Sequence, residues 1–431
     1  MTTHTTATAV GAPMGAPAAF QGRRPVTSHA APLRPSDSRP AVVAVRCESY
    51  ADAAIDAALR LTLAPLGGMA AIVRPGQTVL LKPNLLSPRP PEQAVTTHPA
   101  LVAALIRACR QAGATRVWVG DSPAGEHADA ALWEATGMAR AVAAAGGELR
   151  SFRGTATPVP CGNRHIPVPE WLSQVDVVIS VPKLKTHLLT LLTCAMKNVY
   201  GLIPGETKSL YHGDYPSPRR MAAFLVEVYA ALRPALTVVD AVEALEGDGP
   251  ATGTPRHVGL LLAGRDGVAI DACCAGCLGL APSEVPMVAL AARRGLGLAD
   301  LRQIELCGDG VEVLRAARLR RPRGRWLQRL PEGPFRWLTR LATYRPEIDQ
   351  EHCVRCGICA QTCSQQAIPR TDDGRYHINR ARCILCMCCL ESCPKHAIYV
   401  RSPVLRTLRL ARRLRDRLRR RETSRPKATP Q

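Results

Sequence analysis

Aromatic residues are scarce, at 4% of the chain. With so few rings to stack on bases and no recognition motif, no nucleic-acid partner is expected. No run of about 18 or more apolar residues occurs, so no membrane-spanning helix is expected. The opening MTTHTTATAVGAPMGAPAAF has no charged leader followed by a long apolar run, which argues against a secretory signal. The reducing cytoplasm is the expected compartment, where 17 cysteines read as ligands or small core residues before they read as disulfides.

Lysine is the other shortage. Of 56 Lys+Arg only seven are lysine, and four of those fall in VPKLKTHLLTLLTCAMKNVYGLIPGETK, from Val181 to Lys208. Arginine is a planar fork that stays charged. Lysine is a compact point charge that can lose its proton when buried and can act as a base. A lysine kept in so arginine-biased a chain is one that arginine cannot replace. Lys82, Lys183, Lys185, Lys197 and Lys208, with His98, His187 and His212, are therefore expected to line an anion-binding cleft. The plainer alternative is a solvated surface cluster.

What is present divides the 431 residues into parts. Residues 1–40, rich in Ala, Pro and Thr, read as disordered. From 41 to 313, β-branched runs (78–82, 116–121, 176–181, 236–240, 257–264) alternate with alanine-rich helical segments (99–112, 128–145, 219–231). The 46% apolar content supports a sizeable core. This alternation predicts an α/β domain with a mainly parallel sheet, whose ligands sit beyond the carboxyl ends of the strands. KPN (82–84), GDSPAG (120–125), PKLKTH (182–187) and DAVEALEGDGP (240–250) read as polar turns at those ends.

The strongest pattern lies in residues 347–400. Cys353, Cys356, Cys359 and Cys363 follow C-x2-C-x2-C-x3-C, and Cys383, Cys386, Cys389 and Cys393 repeat it before Pro394. That spacing is the two-cluster bacterial ferredoxin run, in which the fourth cysteine of each motif ligates the other cluster. One [4Fe-4S] cluster is assigned to Cys353, Cys356, Cys359 and Cys393, and a second to Cys383, Cys386, Cys389 and Cys363. Zinc sites use paired Cys-x2-Cys or Cys/His sets instead. Ser364 stands where proline is usual, and Cys388 is a ninth cysteine, either spare or a competitor of Cys389. The predicted fold is thus an α/β domain with a mainly parallel sheet, followed by a small α+β, bacterial-ferredoxin-like domain.

KPNLL (82–86), THP (97–99), GDSPAG, VPKLKTH (181–187), MKNVYGLIPG (196–205), VVDAVEALEGDGP (238–250) and AIDA (269–272) occur in this order. Together they resemble the DUF362 family of iron–sulfur proteins over residues 41–400. That family is similar, more distantly, to the catalytic domain of nickel-dependent lactate racemase, which implies two α/β lobes with a cleft between them. It does not carry over the racemase reaction.

Catalytic roles are expected of Lys183, Lys185, His187, Lys197 and Asp240. Substrate or anion binding is expected of Lys82, Asn84, His98, Asp121, Ser122, Asn198 and Lys208. Glu246, Asp248 and Asp271 are further carboxylates that can serve acid–base chemistry or merely cap turns. CCAGC (273–277) is read as small core cysteines before a metal site.

From residue 314 onward there are 28 basic and 9 acidic residues, a net of +19 out of +21. The linker 314–346 and tail 401–431 read as basic amphipathic segments suited to a membrane surface or an acidic protein. The functional expectation is an oxidoreductase whose clusters exchange electrons with a small anionic substrate or an additional small-molecule cofactor. A docking and electron-transfer module serving a donor or acceptor protein is the alternative, and a cofactor-dependent isomerase or racemase is a third.

Overall fold

The computed structural model describes residues 39–125, 127–322 and 345–401. Of the segment expected to be disordered residues 1–38, of the linker 314–346 residues 323–344, and of the arginine-rich tail residues 402–431 lie outside the described residues.

The strands are β1 (Ala41–Arg46), β2 (Thr78–Pro83), β3 (Arg116–Val119), β4 (Glu148–Leu149), β5 (Ala156–Cys161), β6 (Arg164–Pro169), β7 (Val177–Val181), β8 (Lys183–His187), β9 (Leu191–Thr193), β10 (Leu236–Glu246), β11 (Thr254–Gly264) and β12 (Glu305–Cys307). Ten of them form one sheet in the order β12-β1-β11-β10-β7-β2-β3-β4, with β8 added to β10 and β9 to β8. Neighbours from β10 through β7, β2 and β3 to β4 run parallel, while β11 is antiparallel to both β1 and β10. The protein is therefore mixed α/β with a mostly parallel sheet and a small C-terminal ferredoxin-like region.

Both faces of the sheet are covered, and the period-2 alternation of a strand decides which residue goes where. Val43, Val79, Leu81, Val117 and Ile179 face one core, into which α1 (Asp52–Leu63) and α2 (Pro99–Gln111) pack. Val42, Leu80, Trp118 and Val178 face the other. There α3 (Asp129–Ala135) and α4 (Met138–Ala144) are absent, because Leu132, Met138 and Val142 belong to the first core. The second core is closed by α5 (Ala195–Asn198), α6 (Gly205–Asp214), α7 (Pro218–Ala231), α8 (Gly267–Cys277), α9 (Pro286–Arg293) and α10 (Val311–Ala316).

Three local expectations are corrected. The segment 128–145, read as one helix, is two helices broken at Gly137. PKLKTH, read as a turn, is mostly strand, because Lys183 and Lys185 find backbone partners on β10 at Asp240 and Leu245. For the same reason DAVEALEGDGP is not a turn from Asp240; β10 continues to Glu246 before the chain reverses.

The module contains β13 (Arg345–Ile348), α11 (Ile358–Thr362), α12 (Cys388–Ser392) and β14 (Ile398–Arg401), with β13 and β14 paired antiparallel. Its own small core gathers Ile368, Leu390, Ala397 and Ile398 around buried cysteines.

Candidate functional site: a lysine-lined cavity closed by the ferredoxin-like module

The parallel strands β10, β7, β2 and β3 present their carboxyl ends at one edge of the sheet, and the polar residues of the sequence motifs converge there. Lys82, the penultimate residue of β2, is 1% exposed and meets Asp121, just past β3, at 2.6 Å. Asp121 also accepts from the backbone amides of Leu85 (2.6 Å) and Ser122 (2.9 Å). Lys82 Nζ further donates to Pro83 O and to Asn198 Oδ1. A Cβ added at Gly201 would overlap both Asp121 Oδ1 and Lys82 Nζ, so glycine there lets the backbone lie directly over the ion pair.

The network continues sideways. Asn198 Nδ2 donates to Lys82 O and Ser180 Oγ, Asn84 Nδ2 donates to Asn198 Oδ1, and Asn84 Oδ1 accepts from Lys185 Nζ at 2.6 Å. Lys185 also donates to Val95 O. Burial, then the nearby Lys197 charge, holds the Lys185 pKa well below the ordinary lysine value.

A second buried pair lies apart from the first. Lys183 Nζ meets Asp240 Oδ2 at 3.0 Å, with side chains 1% and 0% exposed. Asp240 also accepts from Tyr50 Oη at 2.7 Å and from the His98 backbone amide at 2.8 Å, and Lys183 donates to Tyr50 Oη. His98 stacks on Tyr50 with ring centroids 3.6 Å apart, and its Nδ1 caps α2 by accepting from Ala100 N.

The structure therefore divides the predicted site. Lys82, Asn84, Asp121, Ser122, Asn198 and Lys208 line a single cavity of about 70 Å³, together with Lys197 and His212. Lys183, Lys185, His98, His187 and Asp240 do not line it. His187 accepts at Nδ1 from the amides of Leu189 and Thr190, which orders the turn after β8. Among the remaining carboxylates, Glu246 accepts from Arg320, and Asp271 caps α5 through the amides of Ala195 and Met196. Cys273, Cys274 and Cys277 are buried core residues, with Cys274 Sγ 3.8 Å from Cys194 Sγ.

Within the cavity Lys208 Nζ donates to Ser122 O. Lys197 Nζ has no hydrogen-bond acceptor among the described residues, and the buried His212 Nδ1 likewise has none. Burial lowers the Lys197 pKa, brings Lys208 down to about 8 and His212 down to about 3.

The far wall of the cavity belongs to the module: Thr362, Cys388 and Glu391. Glu391 is 6% exposed, and its favourable charged neighbours are Lys197, Lys185 and Lys208 in that order; burial nonetheless raises its pKa. Its Oε1 lies 3.5 Å from His187 Nε2 without a hydrogen bond. Gly125 seats the module closely, since a Cβ there would press on Thr362 and Ser392. Arg89, 1% exposed, reaches across to donate to Cys393 O at 2.9 Å and lies against His396. No local pattern marks Arg89, one arginine among 49. Glu391 did carry a signal, as a charged residue enclosed between two predicted ligands.

Inside the module, one void is lined by Cys353, Cys356, Cys359 and Cys393, and another by Cys363, Cys383, Cys386 and Cys389. Four cysteines around one void are the ligand set of a [4Fe-4S] group, with a thiolate at each of four corners. Such a group would supply one-electron chemistry. Cys388 lines both the second void and the lysine cavity.

An α/β domain joined to such a cysteine module defines an iron–sulfur protein with a ferredoxin-type domain. Residues 346–368 match the 4Fe-4S binding domain, and residues 79–276 match the family described as a domain of unknown function, DUF362. A thylakoid-associated protein of Synechocystis sp. is 38% identical over 264 residues, which cover 58% of this chain and 78% of that protein. The chain belongs to the DUF362 family. Among solved structures, a protein of Thermotoga maritima is similar at 13% identity and a TM-score of 0.33, over 58% of this chain and 60% of its own. The lactate racemase apoprotein of Thermoanaerobacterium thermosaccharolyticum is similar at 10% identity and a TM-score of 0.35, over 54% and 56%. The chain spans less than two thirds of either solved structure.

Proposed function

We propose that this protein is an oxidoreductase with two [4Fe-4S] clusters, in which the cluster of Cys363, Cys383, Cys386 and Cys389 exchanges electrons with a small anionic ligand held in the lysine cavity. The observation that carries the reading is the position of Cys388: one residue of the second cysteine run lines both the cluster void and the cavity. Electron exchange between them is then intramolecular, at the high effective concentration that a covalent link provides. Lys197 and Lys208 supply ammonium groups to the ligand, and His212 offers a ring nitrogen with no other partner. The Lys82–Asp121 pair holds the strand ends in place beneath them.

Native mass spectrometry of the protein purified without oxygen tests this. The expected masses are the polypeptide, two clusters and a further small molecule; Lys197→Gln keeps the clusters and loses the small molecule. Two clusters with no added mass in either protein would instead favour the alternative, a module that passes electrons between partner proteins. Retention of zinc in place of iron would overturn both.

Attachment to a membrane surface is part of the proposal. No helix among the described residues is long and apolar enough to cross a membrane. The net charge of +19 from residue 314 onward suits an anionic surface, and the Synechocystis relative is described as thylakoid-associated.

A further inference from the structure

The cavity itself narrows the class of ligand. Resting on the redox reading above, we propose that it binds a monoanion of about three to seven non-hydrogen atoms, in the class of formate, nitrate or acetate, and that it rejects dianions and nucleotide-sized cofactors.

Size is the first argument. The cavity holds about 70 Å³. An engineered apolar cavity of about 150 Å³ accepts benzene, with its six carbon atoms, and about 10–15 Å³ is needed for each water. The first measure gives about three heavy atoms and the second about five to seven. Nucleotides, flavins and other ligands of drug size need pockets of about 300–1,000 Å³.

Charge is the second. Among the described side chains three ammonium groups line the space, those of Lys82, Lys197 and Lys208, against two carboxylates, Asp121 and Glu391. Lys82 and Asp121 are committed to each other at 2.6 Å. Glu391, carried in by the module, offsets one of the two remaining ammonium groups. Among the described side chains one positive charge is left without a counter-charge. A monoanion neutralises it, whereas a dianion would leave one negative charge without a partner.

Donor geometry is the third. The unpartnered His212 Nδ1 is more than nine-tenths buried. Buried polar groups are normally satisfied, so this atom, beside the Lys197 ammonium group in the same cavity, points to a ligand that completes it. With Thr362, Cys388 and Glu391 forming the opposite wall, that ligand lies against the second cysteine run.

Calorimetric titration of the full chain, purified anaerobically with its clusters, tests the class directly. The probes are sodium formate, acetate and nitrate as monoanions, sulfate as a dianion of similar size, and AMP as a size control. We expect one monoanion site per chain, tenfold or more tighter than sulfate, with no binding of AMP. Lys197→Gln and Lys208→Gln each weaken it tenfold or more; using both guards against one variant misfolding. No monoanion binding to a chain with full iron content would overturn the proposal, as would sulfate or AMP binding equally well, or undiminished binding by both variants. The electron paramagnetic resonance spectrum of the reduced clusters separates this site from the redox reading. A bound monoanion that leaves that spectrum unchanged supports the binding site and counts against electron exchange with its ligand.

Discussion

Arg89 Nη2 donates to the carbonyl oxygen of Cys393 at 2.9 Å, joining the loop after β2 to a cysteine of the first void. The guanidinium is 1% exposed and anchored by Ser87 Oγ at 3.0 Å, so its charge is felt at low dielectric. Cluster potentials respond to nearby charge and hydrogen bonding. A positive charge favours the reduced, more negative cluster. Arg89→Gln is expected to lower the potential of that cluster by about 30–60 mV, a three- to tenfold change for a one-electron couple. Redox titration followed by electron paramagnetic resonance measures it, and an unchanged potential would show that Arg89 only fastens the module.

The two sets of lysines should behave oppositely. Lys183 and Asp240 are each at most 1% exposed, and removing one partner of such a pair strands a buried charge. Lys183→Ala is expected to cost about 3–5 kcal/mol, with Lys183→Met/Asp240→Leu recovering much of it. Lys197→Gln, which breaks no hydrogen bond to the described residues, should cost less than about 1 kcal/mol. Denaturant unfolding of the clustered protein compares them.

Acid should destabilise the fold below about pH 6.5. Burial holds His98 near a pKa of about 4 and His212 near about 3, so both are neutral in the folded chain. Between the ordinary histidine pKa and these values the unfolded chain binds protons that the folded chain does not, and stability falls as pH falls. Protonating His98 Nδ1 would also remove the cap on α2. His98→Asn keeps a good capping side chain and should flatten the slope between pH 6.5 and 4. An unaltered slope would assign the acid sensitivity elsewhere.

Gly125 combines a φ of 81° with close contact to Thr362 and Ser392. Gly125→Val should loosen the module without touching a cysteine. Hydrogen exchange in α12 is expected to accelerate tenfold or more while iron content stays unchanged. Loss of iron would mean that docking and cluster assembly cannot be separated.

The ninth cysteine gives a further comparison. Cys388→Ser should retain about eight irons per chain, and Cys389→Ser about four, the loss of one cubane. Equal losses would make Cys388 a ligand.

Much of this was legible in the sequence, and the reasons differ by element. The strands Thr78–Pro83 and Val177–Val181 are β-branched runs with a core on each face, so composition alone marks them. Lys183–His187 is a strand only because β10 lies beside it, and no local pattern announces that partner. Lysine scarcity pointed to Lys82, Lys197 and Lys208, which share the cavity, but it also gathered in Lys183 and Lys185. Those two project from alternate positions of one strand toward Asp240 and Asn84, and a residue's composition says nothing of the acceptor waiting for it. Arg89 acts across the junction of two distant segments, where single-sequence patterns carry no information.

One wall of the lysine cavity is made of residues embedded in a cysteine run. Thr362 precedes Cys363, and Cys388 and Glu391 flank Cys389. Short loops of this kind owe their shape to the inorganic group they wrap. On the proposed reading the pocket would therefore be a product of maturation: a newly made chain would acquire its ligand site only when iron and sulfide are delivered, and a chain stripped of them by oxygen would forfeit both at once.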